Sequence, residues 1–306
     1  MSAISLRQML TTPAMKWAVG GWSFFIAENF ILSENRTYLI QELGEDGYHY
    51  LYGSLSSAAC GSILYGYVKK VRNAAPHAWS LGGRIPVNMR FASFLCHAVG
   101  LGMLSQIGPK LQIPIHASSS MDDEVRMQNN NQIHGPPPPS ESNKKWKVRC
   151  PFDFADSKTN VNSETANNVA GLDRITRHPA LWSFGLVGLG QALLIPSLPQ
   201  RAWCTMPLFV ALIGGWHTDS RHLRGMGGTL SSEMNAVTSN VPFLALLSGK
   251  QDGDAGVMES CRRLGTEMKP LNALLAVGAS AVLVMRKGRG VSRVANGTKN
   301  LAMGFK

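Results

Sequence analysis

The chain has 306 residues, a formal charge of +11 and five cysteines. Its mean hydropathy near zero averages two populations, long uncharged apolar runs and a polar stretch from 116 to 176. The positive charge suits Lys and Arg placed beside anionic lipid headgroups, whereas a nucleic-acid partner is not expected, because no basic stripe with interleaved aromatics is present. Cys60, Cys96, Cys150, Cys204 and Cys261 are scattered and odd in number, so neither a disulfide framework nor a metal pattern follows.

The first apolar run, Pro13 to Leu32, carries Lys16 near its start and Glu28 near its end. It is too long and too interrupted for a cleavable signal peptide and is expected to be a retained span. An acidic connection, Glu42 to Gly47, leads to a second run, Tyr48 to Val68, which ends at a basic link. Gly53, Ser54, Ser56, Ser57, Ala58, Ala59 and Gly61 give that run a small-residue surface on which helices can approach closely. Phe91 to Ile107 is the third run, and its His97 is costly in an apolar segment unless paired.

Residues 116–147 contain Ser-Ser-Ser, Asn-Asn-Asn and four successive prolines, Pro136 to Pro139. They hold too few large apolar groups to offset the cost of ordering, which predicts a disordered loop. From Trp146 to Asp156, aromatic and acidic residues interleave, as suits a segment folded back onto the membrane interface.

The polar stretch stops at Asp173-Arg174-Ile175-Thr176-Arg177-His178-Pro179, where a fourth run, Pro179 to Leu198, begins. Pro179 is a natural first helical residue. The unpaired amides of such an N-terminus, with Arg174 and Arg177 beside them, favour anions. After a polar turn a fifth run, Ala202 to Trp216, ends in His217, Asp219, Arg221 and Arg224. On a continuing helix His217, Arg221 and Arg224 share one face. If the two runs form a hairpin, both clusters emerge together and Asp219 can pair with Arg174 or Arg177. The segment from Val241 to Ser248 is too short to cross, and Leu271 to Met285 makes a sixth span before a basic tail.

These elements predict an all-α fold, a polytopic transmembrane bundle of about six helices with a disordered polar insert. A bilayer core of about 30 Å needs roughly 20 helical residues. The expected division is 1–115, N-terminal spans; 116–147, loop; and 148–306, core with the C-terminal spans. Six crossings put both termini, the basic link and the turn at Arg201 on one side, and both polar clusters on the other.

The order Arg174-Ile-Thr-Arg-His-Pro, then His217, Asp219 and Arg221, then Thr238-Ser-Asn-Val-Pro-Phe and Gly249-Lys-Gln, resembles the NnrU family, which includes a plant zeta-carotene isomerase. Arg36, Gly44, Glu45 and Tyr48 stand at intervals that extend the likeness toward the N-terminus. The resemblance implies an integral membrane protein, with a plastid membrane as the family's setting, and membrane lipids as its surroundings. It implies isomerase-like chemistry if the chain is catalytic, with Arg174, Arg177, His178, His217, Asp219 and Arg221 as the site. It also implies an apolar polyene or lipid as substrate, or a polyene- or lipid-binding relative without catalysis. The family's isomerase holds a b-type haem between a histidine of the first span and one of the span after Arg-His-Pro. In register those positions are Asn29 and Gln191, and Gly188 falls where a nearby cysteine stands, so the implied haem meets amides in place of imidazoles. Gly188 and Gly190 leave room beside Gln191 for an apolar ligand. A fainter resemblance, Arg-His-Pro at a helix start with Glu233 after Gly227 and Gly228, points to S-adenosylmethionine-dependent membrane methyltransferases. A membrane scaffold is the remaining alternative.

Overall fold

Thr12 opens the first described helix by accepting the amide of Met15, and Pro13 occupies a first-turn position where its missing N–H costs nothing. The computed structural model describes residues 11–74, 85–111, 115–118, 145–148, 152–153, 169–226, 228–251 and 256–303. Its contacts divide the chain into two units, Met1–Ile107 with Asn162–Lys306, and Gly108–Val161.

In the larger unit α1 runs Pro13–Glu34 and α2 runs Arg36–Gly66, continuing through a wide π turn at Tyr67–Val71. The acidic connection is therefore helical, with its bend at Gly44, whose φ of 74° is one that a glycine adopts without strain. Then come α3, Val87–Ile107; α4, Pro179–Leu194; and α5, Leu198–Leu223. Two short helices follow, α6 at Ser232–Val237 and α7 at Leu244–Leu247, and then α8 at Gly256–Glu267 and α9 at Pro270–Met303. The segment around Val241–Ser248 is thus a tight turn into α7, entered through Phe243 at a positive φ of 63°. α8 is amphipathic rather than apolar throughout, so a reading built on long apolar runs passes over it.

The helices pack serially: α2 on α1, α1 on α5, α5 on α4, α4 on α3, and α3 on α9. Side-chain pairs set the directions. Glu28 meets Ser56, and Leu32 meets Tyr48, so α1 and α2 are antiparallel. Trp22 stacks on Trp203 and Phe30 on His217, so α1 and α5 run parallel. Gly100 lies against Ser183 while Ser93 bonds to Gly190, which makes α3 and α4 antiparallel. Close approach at α4 and α5 rests on Gly188, where an added Cβ would strike the Cys204 carbonyl. On α2 the small-residue surface serves only in part: Ala59 is fully buried, but Gly53 and Gly61 face open space.

Of the six expected crossings, α3 alone is long and apolar enough by itself, and α8 with the first part of α9 qualifies as a pair bent by 95°. α4 is apolar but has 16 residues. The remaining long helices carry polar ends, α1 through Lys16 and Glu34 and α5 through Arg201 and the Asp219 cluster, which dilute their apolar middles.

In the smaller unit β1, Lys110–Leu111, pairs antiparallel with β4, Phe152–Asp153, and β2, Ile115–Ser118, pairs antiparallel with β3, Lys145–Val148. The expected disordered insert thus begins and ends in paired strands, while 119–144 lie outside the described residues. Ile115, Trp146 and Val148 are strand-favouring side chains, a local signal that average polarity conceals. The units divide at 107/108 and 161/162, rather than at the limits of the polar insert.

Candidate functional site

At one end of the larger unit, the start of α4 meets the ends of α1 and α5. Arg177 places its guanidinium on Asp219, with Nε 3.1 Å from Oδ1 and Nη2 2.5 Å from Oδ2. Its Nη1 donates to the carbonyl and hydroxyl of Thr238, each at 3.0 Å. His178 Nε2 donates to Asp219 Oδ1 at 2.8 Å, since a carboxylate only accepts. Burial pushes the Asp219 carboxyl up, but the His178 and Arg177 hydrogen bonds and charges outweigh it and hold the group below the usual range.

The backbone follows the same course. Arg177 N–H donates to Ser239 O, and Phe243 N–H to Ile175 O. Thr176 Oγ1 donates to Asn240 O at 2.5 Å, and Trp182 Nε1 to Asn240 Oδ1 at 3.0 Å. The Arg-Ile-Thr-Arg-His-Pro and Thr-Ser-Asn-Val-Pro-Phe segments thus form one latch across the end of the α4–α5 hairpin. The anion favoured at the α4 entrance is the chain's own Asp219.

Arg174 stands apart from this latch. It is 4% exposed and bonds Glu267 of α8 at 3.0 Å, and the same carboxylate accepts the Gly171 amide. Gln251 Nε2 donates to the Arg174 carbonyl. The turn Gly171–Arg174 is thereby pinned to α8, so Arg174 pairs with Glu267 and not with Asp219.

His217 and Arg221 face a different neighbourhood, a cavity of about 310 Å³. Phe25, Ile26 and Phe30 of α1, with Val210 and Ile213 of α5, give it apolar walls. Leu181 of α4 and Tyr52 of α2 add to its lining, and the cavity remains partly open. Its polar end holds Asn29, Ser33, His217, Thr218 and Arg221. His217 Nε2 lies 2.6 Å from Ser33 Oγ, and its ring stacks on Phe30 at 4.3 Å. Glu34 pairs with Arg224 at 2.5 and 2.9 Å and sits 3.9 Å from His217 Nδ1. The Arg224 hydrogen bonds, with the charges of Arg224, His217 and Arg221, hold the Glu34 carboxyl down against burial. The six expected residues thus fall into three places: Arg177, His178 and Asp219 in the latch, Arg174 on α8, and His217 with Arg221 at the cavity. Ser33, Glu34 and Tyr52 were not singled out by sequence, although the first two stand where the apolar run of α1 gives way to polar residues.

Asn29 and Gln191 do not form a haem site. Asn29 donates to Phe25 O and Glu28 Oε1 and accepts from Tyr52, so its amide is engaged within α1 and α2. Gln191 Nε2 lies 2.8 Å from His97 Nε2. The His97 ring accepts there because its Nδ1 donates to Ser93 O at 2.8 Å, leaving neither nitrogen for iron. Leu181 lines the cavity with Asn29, whereas Gln191 lies about 15 Å of helix rise further along α4. The room expected beside Gln191 is filled as well: the His97 ring packs on Gly190, and α5 backbone on Gly188. Among the described residues no group of three or more metal-ligating side chains converges.

A serial helical assembly closed at one end by the latch, with an apolar cavity beside it, defines the class. The family model described as NnrU protein matches residues 18–287, and the chain belongs to the NnrU family. Neither a curated protein nor a solved structure matches it.

Proposed function

We propose that this NnrU-family chain is a membrane-embedded binding protein for an elongated apolar ligand of polyene or lipid type, held in the cavity between α1 and α5. The observation that carries the reading is the cavity itself, with aromatic and aliphatic walls and a few polar groups gathered at one end. Its volume lies at the low end for ligand pockets, which run from about 300 to 1,000 Å³.

Embedding in a bilayer is supported by α3 and the bent α8–α9 pair. It is supported too by apolar side chains turned outward on several helices, among them Leu64, Phe184, Phe209, Trp216, Leu274 and Val282. Isomerisation of a carotenoid and a plastid membrane are finer readings that come from the family resemblance, and the cavity supports their binding component. Haem-gated chemistry has no support from the residues at Asn29 and Gln191. Glu233, on which the methyltransferase alternative leaned, is exposed in the first turn of α6.

The test is extraction of the full chain purified in mild detergent, with visible absorption and mass spectrometry of the organic phase. A bound polyene or lipid at near-stoichiometric yield is expected, and Ile213→Trp, which fills the cavity, is expected to strip it. An extract without apolar ligand, or one unchanged by Ile213→Trp, would overturn the reading.

A further inference from the structure

Among the described residues the Arg221 side chain makes no hydrogen bond or close ion pair, although Glu34 and His217 feel its charge. The Arg221 Nε is sealed from solvent and meets no hydrogen-bond acceptor, although the side chain lines the cavity. Glu34, the carboxylate that feels the Arg221 charge, is taken by Arg224 through both oxygens. Burial pushes the His217 imidazole down, Glu34 acts against this, and the Arg221 and Arg224 charges add to it. The cationic form of the imidazole is thereby disfavoured. One unbalanced positive charge is left at the polar end of an otherwise apolar cavity.

Charge complementarity fixes the missing group. We propose that the α1–α5 cavity holds a single-chain amphiphile with a carboxylate head, such as a fatty acid, whose head pairs with Arg221. A guanidinium edge matches a planar carboxylate through two parallel N–H bonds, and one guanidinium balances one negative charge. Thr218 and Ser33 line the same cavity, but their hydroxyls are engaged within the protein, by Gly214 O for Thr218 and by Phe30 O and His217 for Ser33, so Arg221 is the group offered to the head. About 310 Å³ is the volume of roughly ten water molecules, enough for the head and upper methylenes of one chain. The inference rests on the ligand-binding reading of this cavity and adds the chemistry of the head.

The test measures binding of oleate and of oleyl alcohol to the full chain in detergent, for wild type, Arg221→Gln, Arg221→Lys and Ile213→Trp. Thermal unfolding of each variant without ligand confirms that it is folded. Wild type is expected to bind oleate about ten- to hundredfold more tightly than the alcohol, the worth of a charged hydrogen-bond pair. Arg221→Gln is expected to lose that preference while keeping the alcohol, and Arg221→Lys to regain part of it. Equal affinity of wild type for oleate and the alcohol, or an oleate preference untouched by Arg221→Gln, overturns the carboxylate inference. Preference for dodecyl phosphate over dodecanoate in the same assay also overturns it. If Ile213→Trp abolishes binding of both probes while Arg221→Gln is silent, only the head-group inference fails. If Ile213→Trp leaves both intact, the cavity reading fails with it.

Discussion

Asp219 and Arg221 stand two positions apart on α5 and project to different sides of it. Around Asp219 every polar atom is answered: Arg177 spans both oxygens, His178 adds a third bond, and Thr238 takes the rest of the guanidinium. Around Arg221 the count is left open, with a sealed Nε and an apolar hollow in front of it. Both clusters are rich in charge, and composition does not distinguish them. Saturation does. A closed network holds the chain to itself, whereas an open one has an affinity still to satisfy.

The latch is where substitution costs most. Arg177→Ala leaves a buried carboxylate with one partner fewer, and a loss of about 3–5 kcal/mol is expected in the unfolding free energy measured in detergent. Acid does in part what that substitution does outright. The folded pKa of Asp219 lies below its unfolded value of about 3.9, so its stabilisation is complete above that value. It is lost as pH falls through the lower folded pKa, and an unfolding midpoint that falls as the pH drops below about 4 is expected. In Asp219→Asn that acid slope disappears, and its persistence would place the acid sensitivity elsewhere.

A second closed cluster gives a smaller effect. Gln191→Leu removes the donor facing His97 Nε2 in a fully buried site, at an expected cost of about 1–3 kcal/mol by the same unfolding measurement. The smallest effect belongs to the open cluster. Arg221→Leu is expected to change stability by about 0.5 kcal/mol or less, because no internal bond is lost and a cation leaves an apolar wall. A loss as large as that of Arg177→Ala would dissolve the contrast between the two regions.

Much of the latch could be read before any coordinates. The Arg-His-Pro entrance, the hairpin of two apolar runs and a pairing of Asp219 with Arg174 or Arg177 follow from helix starts, run lengths and the cost of unpaired charge, and the structure selects Arg177. Arg174 shows where such reasoning stops. Its neighbour Ile175 follows a one-turn helix that rotates the side chain away from the hairpin toward Glu267, and Glu267 lies 93 residues further on. Nothing local in the chain marks that partner.

The sequence by itself determined which segments are helical cores, where α1 and α4 start, and that amides stand at Asn29 and Gln191. Those follow from hydropathy, capping and proline geometry, which act over a few residues. Only the tertiary structure decided that Asn29 faces the cavity while Gln191 faces His97, and that Glu34 is spent on Arg224 while Arg221 keeps its charge. It also decided that strands close the ends of the polar insert. Each of these depends on which helix face lies against which neighbour, and that is set by long-range packing at glycines such as Gly188 and Gly190, whose spacing carries no signal until the helices meet.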